Sequence, residues 1–288
     1  MDIDKGNLKF IWLIDGRNVV STVVIGKIKK LIGQGTLEIL LDKRQKERER
    51  NFWLIDQIKL QTTWQQLDAE FESKVRSLED ALTEANIDHN LHLVSKKDLL
   101  ATIDTLKKEH KANTLILQDE SPETRHPIFQ MFANLTIDVL LLTKNKWQPK
   151  PHLLGCVDPL HEHARPAELD DNVVIRSRNL AAQLNAKWTI AHAYFTPPMF
   201  LNYRQQFKEI HADGLMEFGK NHSLKKECLV LLNGLPETAI TNWLVNHKAD
   251  ILVLGIVARN NLVSRFIGST TMALLQKPPA DMFLITGN

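Results

Sequence analysis

The chain has few of the residues and segments that build disulfide frameworks or membrane spans. Only 2 cysteines occur among 288 residues, both in apolar runs and without C-x-x-C spacing, which argues against a disulfide framework and favours a reducing compartment. No apolar run approaches the roughly 18 residues needed to cross a bilayer, and the first residues do not resemble a secretory signal. We therefore predict a cytoplasmic protein with no membrane partner.

The chain also lacks an excess of charge of one sign. Its 36 lysines and arginines nearly balance 34 aspartates and glutamates, so the net charge of +2 gives no electrostatic footprint for nucleic acid. Hydrophobic residues make up 43% of the sequence, as in ordinary globular proteins, and the length suffices for one large domain or two domains of about 140 residues. Nucleic acid is therefore not an expected partner, and other partners must be argued from individual sites.

An internal repeat organises the sequence. The apolar runs LKFIWLIDG and PHLLGCVDP both contain a terminal aspartate, Asp15 and Asp158, and these residues lie 143 positions apart. The closing segments DVLLLT and DMFLIT show the same offset. Equal offsets at both ends indicate a tandem duplication. We therefore predict domains at residues 1–146 and 150–288, joined by the proline-containing linker KNKWQPKP.

Both halves alternate short apolar runs with longer segments of helical periodicity, which is the pattern of β-α-β units. Five strands and four helices are predicted in each half. Right-handed crossovers then produce a doubly wound parallel sheet, and ligands bind such sheets beyond the carboxyl ends of the strands. The predicted fold is α/β, with two tandem doubly wound parallel five-stranded sheets.

The stretch ILVLGIVARNNLVSRFIGSTT, residues 251–271, places two of the 12 glycines on either side of a short basic loop. Gly255 follows an apolar strand, and Gly268, Ser269 and Thr270 open a helical segment. Glycine lets a ligand approach the backbone closely, and a helix start offers unpaired N–H groups to an anion. The hydroxyl groups either bind a phosphate oxygen or only cap the helix, and both interpretations stay open.

The spacing of Gly255, Ala258 and Gly268, the last followed by serine, is similar to the signature G-x-x-G, nine residues, G-[ST] of the universal stress protein family. Asp158 at the end of a first strand, His192 in a second strand and the segment NGLPETAI also resemble that family. The resemblance covers the second half well and the first half only by the order of its elements. The whole chain thus resembles the tandem, two-domain UspE-like branch of the family.

The resemblance implies a stress-response protein that binds ATP or another adenine nucleotide, with Mg²⁺, in its second half. Family members hold the phosphates on the signature backbone and its Gly-Ser pair, and hold adenine and ribose near the first-strand aspartate and the second-strand end. The implied binding residues are Asp158, Ala193, Leu254, Gly255, Ala258, Arg259, Gly268, Ser269 and Thr270. It also implies an internal pseudo-dimer in which DVLLLT and DMFLIT meet, in a chain that is a monomer or a homodimer.

Departures from the signature bear on nucleotide binding in both halves. Ala258 replaces the second signature glycine, and its methyl group would crowd the phosphates, while Arg259 and Arg265 either pair with phosphate or are solvated. The first half has Gln118 at the glycine position and an acidic DESPETR loop that would repel a triphosphate. Asp15 is retained there, and we favour a role in capping the following turn over a role in ligand binding. We therefore interpret residues 1–146 as a degenerate domain that serves packing or another ligand.

Motifs of catalysis and metal binding are missing from the sequence, which has no Walker lysine, nucleophile elbow or zincin helix. We predict no catalytic residues, and at most slow ATP hydrolysis with Asp158 as the only evident carboxylate. His161 and His163 have no further ligands at a diagnostic spacing, so no metal site is predicted. The alternatives to a nucleotide-binding stress protein are an interaction module that has lost nucleotide and a weak ATP hydrolase.

Overall fold

The computed structural model describes most of the chain. The described residues are 8–15, 21–43, 57–94, 98–119, 127–160, 166, 168–256, 259–261, 264–266 and 268–286. They fall into two compact units. The first unit comprises residues 8–127 and 142–144, and the second unit comprises residues 128–141 and 145–288.

Four parallel strands form the centre of the first unit. These strands are β1 (Phe10–Asp15), β2 (Leu37–Asp42), β3 (His89–Val94) and β4 (Thr114–Gln118), in the order β3-β2-β1-β4. The connecting helices are α1 (Thr22–Ile32), α2 (Gln57–Glu84) and α3 (Leu99–His110). β1 and β2 are buried along their whole length, which is typical of parallel strands covered on both faces.

Local sequence sets the ends of α3. The Asp98 side chain accepts the Leu100 N–H at 3.1 Å and caps the first turn. At the other end Lys111 adopts a left-handed conformation with φ of 53°, which stops the helix directly after His110. Leu99, Ile103 and Leu106 recur at helical spacing and are buried. α3 therefore packs one apolar face and holds its last residue in a defined place.

The second unit contains a larger sheet. Its strands are β5 (Asp138–Leu142), β6 (His152–Cys156), β7 (Lys187–Tyr194), β8 (Leu229–Asn233), β9 (Ile251–Ile256) and β12 (Asp281–Thr286), in the order β5-β12-β9-β6-β7-β8. A separate antiparallel hairpin is formed by β10 (Arg259–Asn261) and β11 (Ser264–Phe266). The helices are α4 (Leu169–Leu184), α5 (Arg204–Asn221), α6 (Pro236–His247) and α7 (Ser269–Gln276), with short 3-10 helices at Pro127–Asn134, Pro198–Tyr203 and Lys226–Cys228.

These elements confirm the predicted α/β class with mostly parallel sheets and refine it at one strand. β5 pairs with β12 in antiparallel register, with Leu141 opposite Met282 and Val139 opposite Leu284, so the closing segments DVLLLT and DMFLIT meet as expected. An edge strand exposes unpaired backbone groups, and pairing two edge strands satisfies them. The five strands of the second half pair in parallel in the order β12-β9-β6-β7-β8, as predicted, and β5 is the one strand that pairs with them in antiparallel direction. The predicted domain boundaries, residues 1–146 and 150–288, remain a prediction. The two compact units are defined by contacts between residues, and contacts do not test where a duplicated segment begins or ends.

An ion pair between the buried Asp138 and the partly exposed Arg176 secures β5 within the second unit. The Asp138 carboxylate accepts hydrogen bonds from the Thr286 N–H at 2.9 Å and the Thr286 hydroxyl at 3.1 Å, and lies 2.8 Å from Nε of Arg176 on α4. Burial raises the pKa of Asp138, while the Arg176 guanidinium and the Thr286 hydrogen bonds oppose that rise. One side chain thus ties the start of β5 to the end of β12 and to α4.

None of the helices in the described part of the chain combines the length and the apolar character needed to span a bilayer.

Candidate functional site

The carboxyl ends of β6, β7 and β9 form the edge at which a ligand is expected. β6 lies between the other two strands, with Cys156 level with Ala191 on one side and Leu254 on the other. The chain passes from β6 to β7 on one side and later returns to β9 on the other, so the strand order reverses between β6 and β9. Crevices at such reversals are the usual ligand sites of open α/β sheets.

Asp158 stands at this edge, two residues beyond the end of β6. Its N–H donates to Oδ2 of Asp170 at 3.0 Å, and Asp170 is a buried residue of the first turn of α4. Its own Oδ1 lies 3.7 Å from Nδ1 of His192, and its side chain is 35% exposed. A carboxylate is thus held at the rim of the crevice, with part of its surface open to a ligand.

Next to Asp158 lies a pair of stacked imidazole rings. His192 on β7 is buried, with Nδ1 3.2 Å from the Val157 carbonyl oxygen and Nε2 2.7 Å from Nδ1 of His211 on α5. Because a carbonyl oxygen only accepts, His192 Nδ1 donates, and its Nε2 then accepts the Nδ1–H of His211. Tyr194 stacks on His211 with ring centroids 5.4 Å apart. A hydrogen-bond chain therefore joins α5 to the end of β6.

Sequence reasoning used His192 only as a mark of family resemblance and missed its partners. His192 and Tyr194 alternate on one face of β7, and this period-two spacing was the available signal for Tyr194. His211 follows 19 residues later on another element, and no spacing in the sequence points to it. Asp170 was missed as well, although an aspartate in the first turn of a predicted helix is a recognisable capping signal.

The two signature glycines have different surroundings. A Cβ atom added to Gly255 would lie 2.6 Å from Cγ and 2.7 Å from Cδ2 of Leu169, which is fully buried at the start of α4. Packing therefore explains why position 255 carries no side chain. A Cβ atom added to Gly268 would meet no described atom within 4 Å, and its φ of −54° suits any residue. Neither packing nor conformation in the described part of the chain requires a glycine at position 268.

Gly268 is the N-cap of α7, which follows β9 and the hairpin and leads into β12. Its carbonyl accepts the Met272 N–H at 2.9 Å, while Ser269 is exposed and Thr270 is half-buried. Because α7 connects β9 to the parallel strand β12, its start belongs to the same carboxyl edge of the sheet as Gly255. The helix start thus offers backbone N–H groups and two hydroxyl groups to an anion.

The other predicted binding residues that the structure describes lie on β7, β9 and β10. Ala193 is half-buried near the end of β7, level with Leu232, and Leu254 is buried in the core, so only its backbone can contact a ligand. Arg259 lies on β10, level with Phe266, at a position that the sequence predicts to be a loop. The predicted residues Ala258, His161 and His163 lie outside the described residues.

Comparison with known proteins identifies the second half of the chain. Residues 150–286 match the family described as the Universal stress protein family. A curated relative, Universal stress protein E from Photorhabdus laumondii, is 21% identical over 169 residues, which span 54% of each chain. The chain therefore matches about half the length of this relative.

Solved structures share the fold across nearly the whole chain. A functionally unknown protein from Pseudomonas aeruginosa PAO1 has a TM-score of 0.68 and 15% identity, covering 97% of this chain and 92% of its own. A universal stress protein from Archaeoglobus fulgidus has a TM-score of 0.59 and 11% identity, covering 96% of this chain and 98% of its own. At these identities the likeness establishes the fold alone. The second half of the chain, residues 150–286, is therefore similar to the universal stress protein family, and the solved structures share the fold over nearly the whole chain.

Proposed function

We propose that the chain is a tandem universal stress protein whose second half binds an adenine nucleotide, with ATP and Mg²⁺ as the first candidate, as part of a stress response. The observation that carries this proposal is Gly268. It is a glycine that neither conformation nor packing against described residues requires, and it stands at the open start of a helix. A ligand that approaches the backbone closely gives that position a reason to lack a side chain.

The donor groups at this edge suit the parts of an adenine nucleotide. The backbone N–H groups of the first turn of α7, with the hydroxyls of Ser269 and Thr270, suit phosphate oxygens. The partly exposed carboxylate of Asp158 suits a ribose hydroxyl or the adenine amine, because both are hydrogen-bond donors. Ala193 and the backbone at Gly255 complete the proposed site.

The first half is proposed to lack a triphosphate site. At the end of β4, Gln118 is buried where the signature has glycine, and Asp119 follows it directly. A carboxylate close to the phosphate position repels a polyanion. We propose that this degenerate half serves packing or another ligand.

Exposed apolar side chains favour the interaction module as the second candidate function. Met199 is 80% exposed and Leu201 is 60% exposed in the 3-10 helix after β7. A cluster of this kind is a common feature of protein contact sites. A weak ATP hydrolase, the third candidate, would depend on Asp158, whose N–H is bound to Asp170 and whose carboxylate lies beside His192.

Calorimetric titration with Mg-ATP tests the proposal with a matched pair of variants at position 268. Aspartate and asparagine both cap helices well and both tolerate the extended backbone of Gly268, but only aspartate adds a negative charge at the proposed phosphate position. We expect Gly268→Asp to bind ATP at least about tenfold more weakly than Gly268→Asn, a difference of about 1.4 kcal/mol. Equal affinity in the two variants would place the phosphates elsewhere.

Ala258→Gly provides the complementary test, because it restores the signature glycine. We expect at least severalfold tighter ATP binding with little change in stability, since a methyl group and a restriction on positive φ are both removed. Titration that finds two equivalent ATP sites per chain would contradict the degenerate first half. Failure of both the wild-type chain and Ala258→Gly to bind ATP would favour the interaction module.

A further inference from the structure

Three side chains of the first unit converge outside the proposed nucleotide site. Glu38 lies on β2, His92 on β3, and His110 is the last residue of α3. His92 Nε2 lies 2.7 Å from Oε2 of Glu38, and His110 Nδ1 lies 3.0 Å from Oε1. One donor atom from each of the three side chains lies within 4.8 Å of the others. We propose that Glu38, His92 and His110 form a binding site for Zn²⁺.

Strand register and the end of α3 bring these residues together. β2 and β3 are parallel with Glu38 level with Asn90, so His92, two residues further along, lies on the same face of the sheet as Asn90. α3 runs back from the carboxyl end of β3 and stops at His110, beside the beginning of β2. Regular elements supply all three donors, which favours a defined geometry over a chance approach of loop side chains.

The donor set matches the chemistry of zinc. Two imidazole nitrogens and one carboxylate form the three-ligand set that zinc accepts in sites that keep a fourth position for water. The Glu38 side chain is only 7% exposed, whereas His92 and His110 are 29% and 33% exposed, so the site is anchored in the protein and reachable from solvent. A zinc ion between these groups also supplies positive charge to the buried Glu38 carboxylate, and it requires both ligating imidazole nitrogens to be deprotonated.

The donor atoms lie close enough for zinc to bind after small side-chain movements. Zinc bonds of about 2.0–2.2 Å in tetrahedral geometry separate donor atoms by roughly 3.4 Å. His92 Nε2 lies 2.7 Å from Oε2 of Glu38 and His110 Nδ1 lies 3.0 Å from Oε1, so the two imidazoles face different oxygens of one carboxylate. Zinc binding therefore requires the side chains to move apart by less than an ångström, with one or both carboxylate oxygens as ligands. Asn90 Nδ2 donates to Oε1 of Glu38 at 3.1 Å and orients the carboxylate, as outer hydrogen bonds do in metal sites.

Zinc titration of the full-length, chelator-treated chain tests the site. His110→Gln and Glu38→Gln each remove one ligand, and His89→Gln is the matched control. His89 lies on β3 as well, but its Nδ1 faces the Ile87 carbonyl oxygen at 2.9 Å and it is no part of the cluster. We expect the wild type and His89→Gln to bind one more zinc ion per chain than His110→Gln does, or to bind it at least tenfold more tightly.

Cobalt substitution keeps the test independent of folding defects in Glu38→Gln. Co²⁺ bound by two imidazoles and a carboxylate in a four-coordinate site absorbs visible light far more intensely than six-coordinate hydrated Co²⁺ does. We expect this absorption in the wild type and in His89→Gln and its loss in His110→Gln, which changes only a partly exposed helix end. Equal zinc stoichiometry and affinity in wild type and His110→Gln, or the absence of zinc binding in the wild type, would overturn the site and reduce the cluster to a hydrogen-bonded one.

Discussion

Gly255→Ala tests whether packing explains the first signature glycine. The new Cβ would lie 2.6, 2.7 and 3.0 Å from the three outer carbons of Leu169, whereas ordinary carbon contacts begin near 3.5 Å. Leu169 is fully buried, so it must move by up to about an ångström against a packed core. Overpacking of this kind costs about 1–3 kcal/mol. For a unit of this size that loss lowers the melting temperature by roughly 2–12 °C.

A double-mutant cycle isolates this contact. Leu169→Ala alone should cost about 2–5 kcal/mol because it leaves a cavity at the start of α4. In the double variant Gly255→Ala/Leu169→Ala the new methyl group enters that cavity, so the combined loss should be smaller than the sum by about 1–3 kcal/mol. Gly268→Ala is the control for adding a methyl group, since its Cβ meets no described atom within 4 Å.

Urea unfolding of the four chains of the cycle and of Gly268→Ala, followed by intrinsic tryptophan fluorescence, provides the four free energies of the cycle and that of the control. Gly268→Ala should lose about 1 kcal/mol, because its methyl group meets no described atom and only the N-cap preference for glycine over alanine is lost. Additive losses in the double variant, or an unchanged stability of Gly255→Ala, would show that Leu169 is not the reason for the glycine.

Two further predictions concern pH. Burial, with Lys187 and His247 nearby, lowers the pKa of His152 from 6.5 to about 4. Between these two values the unfolded chain binds a proton that the folded chain does not. The free energy of unfolding of the second unit should therefore fall by about 2 kcal/mol between pH 7 and pH 4.5. His152→Gln should flatten this part of the urea-unfolding profile, and an unchanged slope would contradict the assignment. Burial raises the pKa of Asp138 above 3.8, so its contribution falls as pH rises through that raised pKa, and Arg176 limits the loss. Arg176→Gln should therefore cost more unfolding free energy at pH 8, where the ionised Asp138 would lose its partner, than below pH 3.8, where Asp138 is protonated, and equal losses would refute the argument.

Strands buried on both faces were the most predictable part of the fold. DMFLIT is a continuous apolar run, and its predicted bounds coincide with β12. The hairpin of β10 and β11 escaped prediction because RNN and SRF carry no alternation of apolar and polar residues. The pairing of β5 with β12 could be expected, because each was predicted to be the last strand of its half. Its antiparallel direction could not, because apolar composition does not determine strand direction.

The sites were less predictable than the strands, because they depend on contacts between residues far apart in the sequence. Glu38 and His92 are separated by 54 residues, and only the register of β2 and β3 makes them neighbours. A glutamate inside the apolar run TLEILL was nevertheless a usable signal, since a buried charge requires a partner. Gly255 shows the opposite case, in which a motif suggested a ligand and the structure adds a packing reason for the same residue.

The contact of Gly255 with Leu169 also separates packing from ligand binding at this position. The Cβ of Gly255 would point at Leu169, and α4 carries Asp170, which holds the Asp158 N–H, so displacing Leu169 should disturb Asp158 as well. Gly255→Ala should therefore weaken Mg-ATP binding under the proposed function. The double variant with Leu169→Ala relieves the displacement, and its ATP affinity should return to within about threefold of wild type. If calorimetry instead finds affinity still reduced tenfold or more when stability has recovered, the methyl group lies in the path of the nucleotide, and Gly255 serves the ligand directly.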